Sequence, residues 1–116
     1  MELTREVAES FVGGQIETQN AQEGYIFRGD IEEITLEDNE LRVKPSWLAK
    51  GEGFPPLPNR WVRTEPKPYR ASLEIYGVSD IGEGRIALNS SLVGETTVLF
   101  PKGGSRLEKS SVDGLE

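Results

Sequence analysis

The chain has 116 residues, of which 35% are hydrophobic and 28% charged, and its net charge is −7. This is the length of one domain with its own hydrophobic core. Cysteine and histidine are both absent, which excludes disulfides, thiolate nucleophiles, histidine general bases and the usual zinc ligands. Because we also find no catalytic or metal-binding motif, the sequence predicts a non-enzymatic domain without a metal or other cofactor.

The N-terminal residues lead into no apolar run of the kind that signal peptides contain. No segment approaches the roughly 20 apolar residues that span a bilayer. The sequence therefore predicts a cytoplasmic protein that does not bind a membrane.

Residues 2–12 have helical periodicity, because Leu3, Val7 and Phe11 recur every four residues. A first strand is predicted over residues 15–19. The strongest β pattern is the next one, a hairpin over residues 25–44.

In the first arm of this hairpin, the alternation of apolar and polar residues shifts by one position. Apolar residues occupy odd positions up to Ile31 and even positions from Ile34 onward. One inserted residue produces such a change, which predicts a β-bulge near Glu32–Glu33 and a strongly bent strand. Bent strands of this kind allow a short sheet to curl.

Five of the seven prolines lie in residues 51–68, which predicts a long loop, because proline removes a backbone donor. Alternation then resumes and predicts three more strands with a turn at 79–84: residues 69–78, 85–89 and 96–100. Residues 101–116 are polar and rich in glycine and serine. We therefore predict a loose tail after a single domain of residues 1–100.

The sequence Gly29-Asp30-Ile31-Glu32-Glu33-Ile34, followed by Leu41-Arg42-Val43, resembles the Sm-like branch of the SH3-like barrels. That family places an N-terminal helix before a bent strand, and the resemblance covers residues 2–44. The loop at 51–68 is not typical of that family. One helix and five to six short strands by themselves predict a small barrel or a strongly curled antiparallel sheet, because closure removes exposed edges. Together with the resemblance, the sequence predicts a mostly β fold, namely a small SH3-like or Sm-like barrel of five to six antiparallel strands with one N-terminal helix and a long proline-rich loop. Family membership would also imply RNA binding and ring-shaped oligomers.

Charge is segregated along the chain. Residues 1–40 contain 2 basic and 11 acidic residues, whereas residues 41–70 contain 7 basic and 2 acidic ones. The remaining residues, 71–116, contain 4 basic and 7 acidic ones. The basic segment either neutralises the acidic ones within the fold or forms a patch for an anionic partner.

The basic segment also contains both tryptophans of the chain, interleaved with lysine and arginine. The candidate binding residues are Lys44, Trp47, Lys50, Phe54, Arg60, Trp61, Arg63, Lys67, Tyr69 and Arg70. Aromatic and arginine anchors are typical of protein interfaces, and stacking aromatics beside cations are typical of sites for single-stranded nucleic acid. The same aromatics also suit a core at one end of the barrel.

The sequence therefore predicts a binding module that engages a protein partner, or a second copy in a homo-oligomer, through residues 44–70. The alternative is a module that binds single-stranded nucleic acid, RNA in particular, through the same segment.

Overall fold

The computed structural model describes residues 1–20, 24–53, 58–104 and 106–115. The described part is mostly β, which confirms the predicted fold class at that level. Its elements are α1 (Arg5–Glu9), β1 (Gln15–Asn20), β2 (Tyr25–Glu37), β3 (Glu40–Pro45), β4 (Leu48–Glu52), β5 (Arg60–Thr64), β6 (Tyr69–Ser72), β7 (Gly77–Gly82), β8 (Arg85–Ser90), β9 (Glu95–Phe100), a 3-10 turn (Lys109–Ser111) and β10 (Val112–Asp113).

The ten strands of the described residues form one open sheet in the order β10-β5-β4-β2-β1-β9-β8-β7. β3 pairs with the second half of β2 and holds β6 on its other side. The predicted closed barrel of five to six strands is therefore wrong, because the sheet ends at β7 and β10 instead of closing on itself. The resemblance to the Sm-like family stays a prediction.

The bend in β2 organises the fold. The pairing of β2 with β3 changes register between Ile31 and Glu33, which confirms the predicted β-bulge. The first half of β2 pairs with β1 and β4, and the second half pairs with β3. Because of this bend, Ile34 and Leu41 pack with Ile16 and Leu99 in the main core.

The N-terminal helix is shorter than the predicted range of 2–12. It begins after Thr4, whose side-chain oxygen accepts a hydrogen bond of 3.2 Å from the backbone N–H of Val7. It ends at Glu9, because the chain then turns and Gly13 N–H donates to the carbonyl of Ile31 in β2. No helix in the described ranges is long and apolar enough to cross a membrane.

The predicted single strand over 69–78 is two strands. β6 ends at Ser72, and a turn follows in which the N–H of Tyr76 donates to the carbonyl of Ser72 at 2.9 Å. The chain there leaves the edge of β3 and crosses to the edge of β8, where β7 begins. β7 continues to Gly82, so part of the predicted turn at 79–84 is also strand.

Two segments without a clear strand pattern are in fact ordered on the sheet. The predicted loop 51–68 contains the end of β4 and all of β5, which pair in register from Leu48↔Thr64 to Glu52↔Arg60. The predicted loose tail is also wrong for residues 106–115, since Val112 is buried and β10 pairs with β5 in parallel. In both segments, pairing with a distant strand overrides a local composition typical of loops.

Candidate functional site

A half-open cleft of about 430 Å³ lies on the face of the sheet that also holds the main core. Its floor is formed by the adjacent strands β1, β2 and β4, and its far wall by the connection from β5 to β6. The lining residues are Ile16, Thr18, Tyr25, Phe27, Pro45, Leu48, Lys50, Thr64, Glu65, Lys67, Pro68, Tyr69 and Glu95. Volumes of this order are usual for sites that enclose a small ligand or a few side chains.

Strand pairing explains why these floor residues meet. Thr18 lies opposite Phe27, and Phe27 lies opposite Lys50. Directly opposite residues project from the same face of a sheet, so the three side chains form one row across β1, β2 and β4. The next row begins with Tyr25, which lies opposite Asn20.

Tyr25 and Phe27 provide the aromatic part of the cleft. Their ring centroids are 4.8 Å apart and the rings meet edge to face, an arrangement that aromatic pairs favour. The Nζ atom of Lys50 lies 6.0 Å from the centroid of the Tyr25 ring. Both aromatic side chains are only partly buried, so an occupant of the cleft can still cover apolar surface on them.

The charges around the cleft balance. Lys50 and Lys67 are exposed lysines that line it, and Glu65 and Glu95 are the two acidic residues that line it. Lys67 and Glu65 both belong to the connection between β5 and β6, which is stiffened by Pro66 and Pro68. The cleft is therefore an apolar site with charges of both signs at its rim.

Two tyrosines lie between this cleft and the main core. Tyr76 donates a hydrogen bond of 3.1 Å to the carboxylate of Glu95. Burial, reinforced by the negative charge of Glu95, raises the pKa of the Tyr76 phenol to about 12. Burial also raises the pKa of the Tyr69 phenol. In the described part of the chain, the Tyr69 hydroxyl has no hydrogen bond of good geometry, although it faces Thr97 and Tyr76.

The structure brings three of the predicted binding residues together in the cleft: Lys50, Lys67 and Tyr69. Phe54 lies outside the described residues. Trp47 is only 5% exposed and packs, together with Trp61, in a second small core that residues 106–115 cover. Both tryptophans therefore lie away from the cleft.

The other predicted cations are also dispersed. Lys44 is paired with Glu32, and Arg70 with Glu40. Arg60 forms ion pairs with Glu52 at 3.1 Å and Asp113 at 3.8 Å.

Arg60 and Arg63 are three positions apart on β5, so their side chains project from opposite faces of the strand. Residues 44–70 do not form one continuous basic and aromatic surface.

Sequence reasoning missed Tyr25, Phe27, Glu65 and Glu95. The sequence did contain a signal for Tyr25 and Phe27. Two aromatic residues two positions apart on one strand project from the same face, so they can form one aromatic surface. The two glutamates carried no local signal, since β9 and the connection after β5 meet the cleft only through the sheet order.

Within the described ranges, no three acidic residues are close enough to hold a metal ion together. Comparison of the chain with protein-family models, with curated proteins and with solved structures gave no match.

Proposed function

We propose that this chain is a non-enzymatic binding module that holds a short segment of a protein partner in the cleft. The observation that carries the proposal is the convergence of Tyr25, Phe27 and Tyr69 in one half-open site with charges of both signs at its rim. Aromatic side chains in a concave site supply most of the binding energy of small interfaces. Rim charges of both signs orient a segment and select its sequence.

The charge pattern favours a polypeptide over a nucleic acid. A phosphate chain that approached Lys50 and Lys67 would also meet Glu65 and Glu95, which line the same cleft. A net charge of −7 adds long-range repulsion, although salt limits its reach to about 8 Å. A peptide can instead place an acidic residue near a lysine and a basic residue near a glutamate.

The position of the tryptophans also disfavours the nucleic-acid alternative. Stacking on unpaired bases needs exposed rings beside free cations. Trp47 is buried, Trp61 packs beside it, and Arg60 is held by two carboxylates. The cations and aromatics of residues 44–70 are thus divided between two faces of the sheet.

Selection from a random peptide library on the immobilised full chain tests the proposal. We expect peptides that share an apolar or aromatic residue flanked by charges. In isothermal titration calorimetry, they should bind at least tenfold more weakly to Tyr25→Ser, because a central aromatic anchor typically contributes more than about 1.4 kcal/mol. Lys50→Glu should weaken binding about threefold and change which peptides are selected.

Lys44→Glu is the matched control, because Lys44 is an exposed lysine of the same segment that does not line the cleft. It should leave peptide affinity unchanged. Equal losses in Lys44→Glu and Lys50→Glu, or selected peptides that bind Tyr25→Ser normally, would contradict the proposal. Saturable, steeply salt-dependent binding of single-stranded RNA that Lys50→Glu abolishes would favour the alternative instead.

A further inference from the structure

The face of the sheet opposite the cleft has a groove that the chain itself fills. Trp47 and Ala49 are buried there at 5% and 0% exposure, and Trp61 is partly buried beside them. The residues that cover them belong to the C-terminal segment 106–115: Leu107, Val112 and Leu115. We call this surface the second-face groove.

The side-chain amide of Gln15 forms hydrogen bonds with the backbone of the C-terminal segment. Its Nε2 donates to the carbonyl of Leu107 at 2.9 Å, and its Oε1 accepts from the N–H of Leu107 at 2.8 Å. The same amide donates to Asp30 at 2.8 Å and accepts from Arg28 at 3.1 Å. All four hydrogen-bonding positions of the amide are thus used, and Gln15 is only 2% exposed.

The two ends of the C-terminal segment are matched to the groove by charge and by strand pairing. Arg106 pairs with Asp30 at 3.3 Å near one end. Near the other end, at the edge of β5, Asp113 pairs at 3.8 Å with Arg60, which projects from the face of β5 opposite to Trp61. Between them, Val112 pairs in parallel with Trp61 on the outer edge of β5. The groove therefore recognises this segment through its backbone, its apolar side chains and its charges.

Residues 101–104 form a tight turn directly after β9, on the way to the C-terminal segment. Gly104 N–H donates to the carbonyl of Pro101 at 3.0 Å, and Gly103 has a φ of +82°, which glycine adopts readily. Residues 102–104 are exposed. Straightening this turn redirects the C-terminal segment away from its own groove and leaves unaltered the groups of the segment that contact a groove.

We propose that the second-face groove is an interaction surface for a second copy of this chain, which supplies its C-terminal segment in exchange. The contacts are the same in the closed monomer and in the exchanged dimer, so the turn at 101–104 and the protein concentration decide between them. A released segment exposes Trp47 and Trp61, and a second copy restores their cover. The cleft lies on the opposite face and stays open, so the dimer has two clefts and binds bivalent partners more tightly.

Deletion of Gly103 and Gly104 tests the role of the turn. Because the deletion removes half of the turn 101–104, which reverses the chain toward its own groove, we expect a folded dimer of twice the 12.9 kDa chain mass in size-exclusion chromatography with light scattering. Insertion of two further glycines after Gly104 is the control and should keep the chain monomeric. A folded, monomeric deletion variant would refute the proposal.

Cysteine cross-linking tests the exchange in the full chain, even if the deletion variant fails to fold. A Cβ atom at Gly114 would lie 3.3 Å from the Cβ of Arg63, close to disulfide geometry, and the chain has no natural cysteine. After co-refolding at high concentration and oxidation, Arg63→Cys and Gly114→Cys chains should form a mixed disulfide. The matched control is Gly82→Cys, since Gly82 has a φ of +89° against +90° for Gly114, and a Cβ atom at Gly82 would have no neighbour within 4 Å.

We expect at least ten times more cross-linked product with Gly114→Cys than with Gly82→Cys on a non-reducing gel. Equal yields would overturn the proposal. Because this readout does not involve the cleft, its result is independent of the result of the peptide selection.

Discussion

Replacement of Gln15 by leucine probes the contact that holds the C-terminal segment on the sheet. The two hydrogen bonds to the backbone of Leu107 are worth about 1 kcal/mol each, and the two that involve Asp30 and Arg28 about 1.5–3 kcal/mol each because one partner is charged. Leucine has a similar volume and regains about 2 kcal/mol through apolar burial. The partly buried partners also regain some water. We therefore expect a net loss of about 3 kcal/mol in the free energy of unfolding, which combines these estimates.

Urea unfolding followed by tryptophan fluorescence measures this loss, because Trp47 and Trp61 lie directly under the C-terminal segment. The same change should lower the melting temperature by about 12 °C for a domain of this size. Gln19→Leu is the matched control, since Gln19 lies on the same strand but is exposed, and its side-chain amide donates to the carboxylate of Glu17. It should cost less than about 0.5 kcal/mol.

A loss below about 1 kcal/mol for Gln15→Leu, or one no larger than that of Gln19→Leu, would refute this account. It would mean that the amide does not hold the C-terminal segment and that apolar contacts alone keep it in the second-face groove.

Two further predictions concern the core. The pKa of Tyr76 is raised from 10.0 to about 12, so its contribution to stability is intact below pH about 10 and is lost between pH about 10 and about 12, where the unfolded phenol ionises first. The free energy of unfolding, measured by urea titration at several pH values in that range, should fall more steeply with pH for the wild-type chain than for Tyr76→Phe. Equal slopes would contradict this prediction. A Cβ atom at Gly29 would overlap the backbone carbonyl of Trp47, whereas one at Gly77 would have 3.9 Å to its nearest neighbour. Gly29→Ala should therefore cost about 3 kcal/mol and Gly77→Ala well under 1 kcal/mol, as measured by thermal unfolding, and equal costs would contradict the packing argument.

Local alternation predicted the parts of the fold that depend on neighbours in sequence. The bulge in β2 was visible because inward-facing residues are two positions apart on each side of it, at Gly29 and Ile31 before it and at Ile34 and Leu36 after it, but three positions apart across it. The helical stripe was visible too, and Leu3 and Phe11 are both buried as it predicts, although α1 itself includes neither. In these segments, local propensity and burial indicate the same structure.

The sequence could not show the elements that depend on distant partners. β5 is partnered by β4 on one side and by β10 on the other, although prolines precede and follow it closely. The alternation over 69–78 continued through Leu73, yet the chain leaves the edge strand β6 at Ser72. Neither the pairing of β5 nor the end of β6 can be predicted from about ten neighbouring residues, because both depend on which strand edge elsewhere in the sheet is free to pair.

The candidate site was found in part for the same reason. Composition selected residues 44–70 as the candidate binding segment, and three of its residues, Lys50, Lys67 and Tyr69, line the cleft. Composition could not divide the segment between the two faces of the sheet. Trp47 and Trp61 lie on the second face, where they pack with the C-terminal segment, and the aromatic residues of β2 line the cleft instead.

One strand, β2, supplies both surfaces. Its odd-numbered residues Tyr25 and Phe27 line the cleft, and its even-numbered residues Arg28 and Asp30 bind Gln15 on the second face. A shift of one residue in the register of β2 would exchange these faces and destroy both sites at once.

Within the correct register, however, the two sets of side chains do not touch across the sheet. Gln15→Leu should therefore loosen the C-terminal segment and favour its exchange between copies, while peptide affinity at the cleft stays within about twofold of the wild-type value, as expected for separate sites. A parallel loss of peptide affinity would show that the two faces are coupled through β2.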